Sequence, residues 1–429
     1  MTVPSGPAAA RGGGTALPWI VWGLGATLFC YGFFQRVAPS VMVDSLMRDF
    51  QVGGALLGGL SAFYFYAYAG LQIPVGLLVD RYGPRRMLAL GAGLCGLGSL
   101  VFGLSEQVEL AYLGRLLIGA GAGFSFVGTL KLATLWFAPQ RFAQLAGMTM
   151  MLGMLGGILG QAPLAALVEA FGWRGTMLVA GGAGGLLALA IWLVVRDSGL
   201  AGPAEGAPPP RAGAGELWSG IVRVLGNRQL WVMTLIAAAM SAPMLTVAGL
   251  WGVPWLMHVH GYARSEAAGT NSLLLIGWAV GSPLAGILSD RLGRRRLPLL
   301  LGALLGLVCL VALLYLPGLP GALLSALFFL AGVGMGCMAI TYAMARESVP
   351  ASDAGTAMAL VNTATVGSGA LFQPLVGWLL DLGWDGELEA GARVYGAGAY
   401  DVALGTLAAL LAVGLLAGLL LRDTGPATA

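Results

Sequence analysis

The sequence predicts an all-α membrane protein built from two similar halves of six spans each. Three observations carry this. Hydrophobic residues make up 58% of the chain and charged residues 10%, and a soluble protein of this size could not keep such a surface in water. Apolar stretches of roughly twenty residues, long enough to cross a bilayer, recur from Trp19 to Leu421. One phrase also occurs twice. Gly76-Leu-Leu-Val-Asp80-Arg81-Tyr-Gly83-Pro-Arg85-Arg86 returns half a chain later as Gly286-Ile-Leu-Ser-Asp290-Arg291-Leu-Gly293-Arg-Arg295-Arg296. Each copy closes one long apolar run and opens the next.

The spans read as helices because lipid cannot satisfy an open sheet edge and the segments lack period-two alternation. Seventy glycines would weaken soluble helices, but in lipid they let helices approach closely. Cys30, Cys95, Cys309 and Cys337 are scattered through apolar segments, so free thiols are expected, with no disulfide, metal or cofactor. The net charge of +3 follows from loop arginines and gives no reason to expect nucleic acid. The stretch from Met1 to Ala16 is small and polar, so residues 1–17 are expected to be disordered. They do not read as a cleavable signal peptide: the following apolar run is too long and no cleavage site follows it.

The spans fall near 18–44, 53–79, 85–105, 108–137, 142–170 and 174–196, then 229–257, 266–289, 297–316, 319–345, 354–381 and 398–421. This gives an N-terminal unit over 18–196, a linker over 197–228 and a C-terminal unit over 229–423. The linker carries Pro203, Pro208, Pro209 and Pro210 among glycines and alanines. Its stretch from Glu216 to Leu225 suits a short helix on the membrane surface. Further landmarks repeat in order. Gln161-Ala-Pro163 and Gly172-Trp173 echo Gln373-Pro374 and Gly383-Trp384. Gly119, Gly121 and Gly123 mirror Gly332, Gly334 and Gly336, and the halves end alike in Arg196-Asp197 and Arg422-Asp423. Internal repeats in a membrane chain mark alternating-access transporters. Arginines crowd the loops after spans two and eight and the linker, whereas the opposite loops carry Glu106, Glu109, Asp381, Asp385, Glu387 and Glu389. Positive residues stay inside, so both termini and the linker are expected to be cytoplasmic, in a plasma or inner membrane.

The doubled phrase resembles the G-x-L-x-D-R-x-G-R-R loop signature of the major facilitator superfamily, and Arg115-x3-Gly119-x3-Gly123 in span four is a second match. The resemblance covers essentially the whole spanning length. It implies two pseudo-symmetric six-helix bundles around a central cavity, rocking to expose it to either side. A narrower resemblance is to the anion:cation symporter and organophosphate antiporter branches. It rests on Tyr31-Gly-Phe-Phe-Gln35-Arg36, Lys131-x4-Trp136-Phe137 and Gly355-Thr-Ala-x3-Val361-Asn362. In those branches a basic residue on span one and another on span four grip an anionic substrate. This chain has Gln35 where proton-coupled members often carry a carboxylate.

The residues point to an anion independently of the family. A charge inside a span costs at least ~2.5–3.5 kcal/mol at mid-helix on insertion scales. Arg36, Arg115 and Lys131 are the candidates, all cations, with no Asp or Glu deep in the predicted spans. Surplus positive charge is suited to receive negative charge. Arg36 has Gly32 and Ser40 four residues either side, and a guanidinium grips carboxylate or phosphate with two parallel bonds. A structural arginine bonded to neighbouring carbonyls is the plainer alternative. Lys131, the chain's single lysine, reads either as a substrate or gating contact or as a snorkelling side chain. Arg115 lies sixteen residues before it, about 160° away around the helix, and is assigned to packing or coupling. Tyr64, Tyr68 and Gln72 form a polar stripe that either lines the cavity or packs. Asn362 and Gln373 either bond substrate or cross-link helices. Tyr31 and Gln35 complete the candidate substrate contacts.

His258 and His260 fall on different faces of a helix, which suits a solvated interfacial pair better than a metal site or proton sensor. The loop residues Asp80, Arg81, Gly83, Arg85, Asp290, Arg291 and Gly293 read as topology signals with sharp glycine turns. The superfamily resemblance adds a latch in which Asp80 and Arg81 bridge the halves, a network that Arg115, Arg346 and Glu347 are expected to join. The functional expectation is secondary transport of a small organic anion: a carboxylate, sugar acid, phosphate ester or amino acid. Its partners are that substrate, the lipid bilayer and a coupling proton, cation or counter-anion, and the expected assembly is a monomer. Two rivals are a drug exporter and a transporter-like sensor. Gly153, Gly156, Gly157 and Gly160 loosely resemble an antiporter motif, but they lack its Gly-Pro step. An intramembrane enzyme is disfavoured because no nucleophile–base pair lies within the spans.

Overall fold

A computed structural model describes residues 16–197, 214–350 and 352–424. The predicted N-terminal tail, apart from its last two residues, and the proline-rich part of the linker lie outside them. The first half comprises α1 (Ala16–Val37), α2 (Val43–Phe50), α3 (Gly54–Tyr82), α4 (Pro84–Leu104), α5 (Val108–Trp136), α6 (Phe142–Leu159) and α7 (Ala162–Val194). Gly172, at φ +69°, breaks α7 into two pieces. The first piece completes span five with α6, and the second is span six. A linker helix α8 (Ala214–Gly226) follows, on the stretch expected to be helical.

The second half comprises α9 (Arg228–Pro243), a π-helical segment (Met244–Trp251), α10 (Gly252–His260), α11 (Arg264–Leu292), α12 (Arg296–Tyr315), α13 (Gly321–Gly336), α14 (Ile340–Glu347), α15 (Ala354–Leu382) and α16 (Ala397–Gly418). A two-residue hairpin, Leu388–Glu389 with Ala392–Arg393, precedes α16. Eleven helical runs among the described residues are long and apolar enough to span a membrane. The polar-flecked α15 is the twelfth span. The architecture is the predicted one: an all-α membrane protein of twelve helices in two six-helix bundles.

Glycine packing carries the internal symmetry. A Cβ on Gly119 of α5 would overlap the Tyr64 carbonyl of α3, and one on Gly332 of α13 would overlap the Leu274 carbonyl of α11. Gly121 meets the Gly91 carbonyl as Gly334 meets that of Gly302. These are the same contacts in each half. With lipid outside, close backbone approach supplies the association energy that apolar burial supplies in water. The half-ends match too. Asp197 accepts the Arg85 backbone N–H at 2.8 Å, and Asp423 accepts that of Arg295 at 2.8 Å. Each holds the start of its bundle's third helix. Gly83 (φ +86°) and Gly293 (φ +60°) adopt the left-handed turns expected of them.

The halves meet chiefly along α3 and α15, along α6 and α7 against α11, and where the turn after α1 meets the π segment. They touch at one end. Near the start of α3, a Cβ on Gly54 would sit 2.6 Å from the Gly377 carbonyl, and one on Gly58 would sit 2.5 Å from that of Gln373. Toward the arginine-rich end, Gly70 and Gly76 of α3 and Gly355 and Gly367 of α15 meet nothing within 4 Å. The seam is therefore tight at one end and splayed at the other.

Asp381 fastens the tight end. It lies in the last turn of α15, and its carboxylate accepts the backbone N–H of Gly54 and of Ala55 at 2.8 Å each. Neither N–H has an acceptor within its own helix at the start of α3, where the helix dipole also favours an anion, and that of Gly54 also reaches the Tyr395 hydroxyl at 2.9 Å. Tyr395 donates to the same carboxylate at 2.7 Å and Arg393 pairs with it at 3.1 Å. Burial, and then the Asp381 charge, push the Tyr395 phenol well above its ordinary range, so it remains a donor. Asp381→Asn is expected to weaken this closure by about 1–2 kcal/mol. Labelling rates of single cysteines near the start of α3 should rise in that variant, and unchanged rates would remove Asp381 from the closure.

Candidate functional site

Arg36 lies near the end of α1. Its guanidinium carbon stands 4.2 Å from the centroid of Phe33, 5.1 Å from Tyr68, 5.5 Å from Tyr64 and 5.9 Å from Phe65. Three of those rings belong to α3, so the four-residue spacing of Tyr64 and Tyr68 has a purpose. It stacks two phenols, 6.0 Å apart and nearly parallel, along the cation. Phe65 in turn lies on the seam between halves, where a Cβ on Gly369 would sit 3.2 Å from its ring and 3.1 Å from Leu245. Among the described residues no carboxylate comes within 4.0 Å of Arg36, and its Nε has no hydrogen-bond partner. The residue is 8% exposed. Ring faces moderate such a charge, by about 0.5–2 kcal/mol per favourable contact, without neutralising it.

Arg115 shares the Tyr64 ring, its guanidinium carbon 5.1 Å from the centroid. It is fully buried. It donates to the Gln35 carbonyl of α1 at 2.7 Å and makes a long 3.5 Å contact with that of Ser61 on α3. These bonds tie α5 to α1 and α3. Tyr64 donates to the Gly32 carbonyl at 3.1 Å, so α1, α3 and α5 are locked around the two arginines.

Several sequence-level candidates fall elsewhere. Tyr31 and Gln35 turn into the first bundle. Gln35 donates to the Tyr31 hydroxyl at 2.8 Å and to Ser99 of α4 at 2.7 Å, and Tyr31 donates to the Ala180 carbonyl of α7 at 2.8 Å. These bonds cross-link helices, because the two residues lie on the face of α1 that packs against α4 and α7, although the Gln35 Oε1 is left without a partner. Gln373 is fully buried on the seam. Its amide donates to the Leu245 carbonyl at 2.7 Å, and its own backbone carbonyl accepts from Trp251. Lys131 is not an unpaired cation: it meets Asp80 at 2.8 Å, with both side chains substantially exposed. The sequence misses this partner because Asp80 lies 51 residues away on another helix.

The ion pairs of Asp80, Asp290 and Glu347 lie inside their own halves. Asp80 is held by Lys131, not by the opposite half. Arg81 and Arg291 are exposed. In the second half Arg295, rather than Arg291, pairs with Asp290 and with Glu347 at 2.9 Å. Arg85 stacks on Trp192 at 4.6 Å. Arg346 and Glu347 line a cavity of about 650 Å³ at the splayed mouth, with Arg295, Ala343, Val349 and Ala354. The histidines do not form a solvated pair. His258 is 8% exposed and lies 3.4 Å from Asp44 across the tight end, while His260 packs edge-on against Trp255 at 4.9 Å. Composition gave no sign of this because α2, which carries Asp44, is short and polar.

On the second half, Tyr342 donates to Asn362 Oδ1 at 3.0 Å. Gln72 is half-buried one turn beyond Tyr68. Tyr342 was missed in the sequence. Its spacing from Arg346 places it one turn deeper on the same helix, and that was the available signal.

The model of the Major Facilitator Superfamily matches residues 24–371 and 252–429 of the chain. The chain belongs to that superfamily. It is 24% identical to a probable sulfoacetate transporter of Cupriavidus necator H16, over 94% of this chain and 93% of the relative. It is also 24% identical to a probable galactarate/D-glucarate transporter of Bacillus subtilis 168, over 81% and 82%. Its fold matches the crystal structure of a bacterial homologue of the human lysosomal transporter Spinster, solved inward-facing and unoccupied, with TM-score 0.80 and 18% identity over 97% of this chain and all of that one.

Gln35→Ala removes the donor shared by Tyr31 and Ser99. It is expected to lower stability by about 1–3 kcal/mol, seen as a drop in the melting midpoint in detergent, while anion affinity stays unchanged. A loss of affinity without a loss of stability would return Gln35 to the binding site.

Proposed function

We propose that the protein is a secondary transporter that carries a small organic anion across the membrane by alternating access. The observation that carries this is Arg36: a buried guanidinium within a span, faced by ring π-systems and matched by no carboxylate among the described residues. Desolvation of such a charge is offset when an anion supplies charge-assisted bonds. The relatives support the class, since sulfoacetate, galactarate and D-glucarate are all small organic anions.

Placing the arginine-rich loops in the cytoplasm makes the splayed end cytoplasmic and the tight end outward. The conformation is then inward-open, with Asp381 and the glycine seam closing the outer side. In the alternate state the cleft opens outward and the inner loops meet. Lys131 and Asp80 lie where that meeting occurs, which supports a gating role for the pair in place of two separate roles. Moving one negative charge inward against 100 mV costs about 2.3 kcal/mol. Import therefore requires a co-transported cation or an exchanged anion.

Arg36→Ala is expected to abolish both ligand-induced thermal stabilisation and flux into proteoliposomes while the protein still inserts and purifies. Arg36→Lys should retain part of the binding, as a point charge without the planar fork. Full transport by the alanine variant would discard the proposed contact. Binding without flux in the unaltered protein would favour a sensor over a transporter.

A further inference from the structure

Resting on the alternating-access reading, we infer that His258 and Asp44 form a proton-binding site on the outer gate, and that the proton held there keeps that end of the cleft closed. Asp44 stands in the first turn of α2, in the first half, and His258 in the last turn of α10, in the second. Their facing atoms, Oδ1 and Nε2, lie 3.4 Å apart, and the side chains are 20% and 8% exposed. The pair therefore crosses the seam, whereas Lys131–Asp80, Arg295–Asp290 and Arg393–Asp381 each stay within one half. Asp44 Oδ1 is buried and accepts no hydrogen bond among the described residues. The imidazole is the group that answers its charge.

The neighbours leave the proton as the pair's variable charge. The Tyr400 hydroxyl, buried on α16, stands 3.5 Å from His258 Nδ1. A phenol accepts from a protonated ring nitrogen or donates to a bare one, so this contact survives either charge state. The turn after α1 and the π segment, both packed on α10, carry no titratable residue. α11 brings Arg264 and the exposed Glu266 in its first turn, and α16 adds Asp401 beside Tyr400. On α10 itself, His260 packs against Trp255 and Tyr262. On the other side, α2 carries Arg48 and also Asp49, which Arg174 and Trp173 hold. The strand against α2 brings Arg393, which Asp381 holds, and Tyr395 lies edge-on to Tyr400. Among the described residues no arginine or lysine comes within 4.0 Å of Asp44, and no second carboxylate comes that close to His258.

With one proton the pair is net neutral, whichever partner holds it. Without that proton it carries one negative charge in a mostly buried contact, where uncompensated charge is costly. Opening the outer end separates α2 from α10 and returns both side chains to water, which tolerates either state. The closed conformation therefore holds the proton more firmly than the open one, and by linkage the proton favours closure. This contribution is fully present on the acid side of the pair's titration and is lost as pH rises through it, across the range near neutrality where histidine changes charge. While the cleft faces inward, the seam shuts the pair off from the cytoplasm. Its proton comes from the outer medium and returns there. The site reads outer pH and does not deliver a coupling proton inward.

The test is the distance between spin labels on Gln107→Cys and Ser265→Cys, exposed positions at the outer face of opposite halves. It is read in the full-length protein in liposomes from about pH 5 to about pH 8, at fixed ionic strength, with and without sulfoacetate or D-glucarate as the probe anion. The ratio of outer-open to outer-closed protein is expected to rise about threefold to tenfold across that range. His258→Gln keeps a hydrogen-bonding side chain without a titratable nitrogen and should make the ratio flat. Asp44→Asn should reverse its sign: with the carboxylate gone, a protonated His258 is an unpaired cation in the closed contact, so acid opens that end. A purely structural bridge would have no pH dependence to lose or reverse. Melting midpoints report whether each variant is folded, and if one is not, the other carries the test. A ratio that moves with the probe anion but not with pH overturns the site and leaves alternating access intact. An unaltered pH dependence in His258→Gln does the same. A distance fixed under every condition overturns both.

Discussion

One uncompensated charge organises the centre of this molecule. Arg36 stands in a low-dielectric interior with no carboxylate beside it, and such a charge persists only if its surroundings over-determine its place. They do so with rings. Phe33 comes from its own helix and Tyr64, Phe65 and Tyr68 from α3, so the cation is cupped by faces that attract it without cancelling it. Tyr64 cannot drift, since its hydroxyl is bonded to Gly32 and its ring also carries Arg115. Arg115 cannot drift either, because its donors hold the α1 backbone one residue before Arg36. The first bundle thus spends a second buried arginine on positioning the first.

That arrangement is useful only if the cleft beside it opens and shuts, and the seam is built for this. At the tight end of α3 and α15 the halves touch through glycine backbone and the Asp381 carboxylate. Both are surfaces that separate without leaving an apolar face exposed. Asp381 satisfies two helix-start N–H groups that water satisfies equally well once the end opens. This part of the closure is therefore firm but reversible, whereas opening apolar contacts would expose surface at about 25 cal/mol per Å².

The fold was legible in the sequence because it rests on features that need no partner to be read: apolar run length, the doubled loop phrase, and glycines in matching order. Gly119 and Gly332 are written as packing residues and prove to be so at the same kind of carbonyl. Arg36 was legible for the same reason, since an intramembrane arginine stands out by itself. What the sequence hid were pairings. Lys131 looked like a spare cation because nothing local shows that Asp80, at the end of another helix, reaches it. Gln35 and Tyr31 looked like ligand contacts because they flank Arg36. Adjacent residues on a helix lie about 100° apart, however, and that rotation turns them toward α4 and α7. His258 read as solvated until α2 folded over it.

The repeated glutamines show how duplication and pairing combine. Gln161 and Gln373 hold the same place in their halves, and both donate to carbonyls of the π segment in span seven, at Ala248 (2.8 Å) and Leu245 (2.7 Å). A π turn shifts the backbone ladder out of its usual register, and buried carbonyls beside it need outside donors. Asn271 adds one from α11 and also bonds Gln161. Gln373 reaches the segment from within its own bundle, whereas Gln161 reaches it from the opposite one. Two equivalent residues thus do inequivalent work: one fixes the shape of span seven, and the other ties that shape to the neighbouring half. The symmetry supplies matched parts, and the single irregular helix between them decides which part becomes a bond between the bundles.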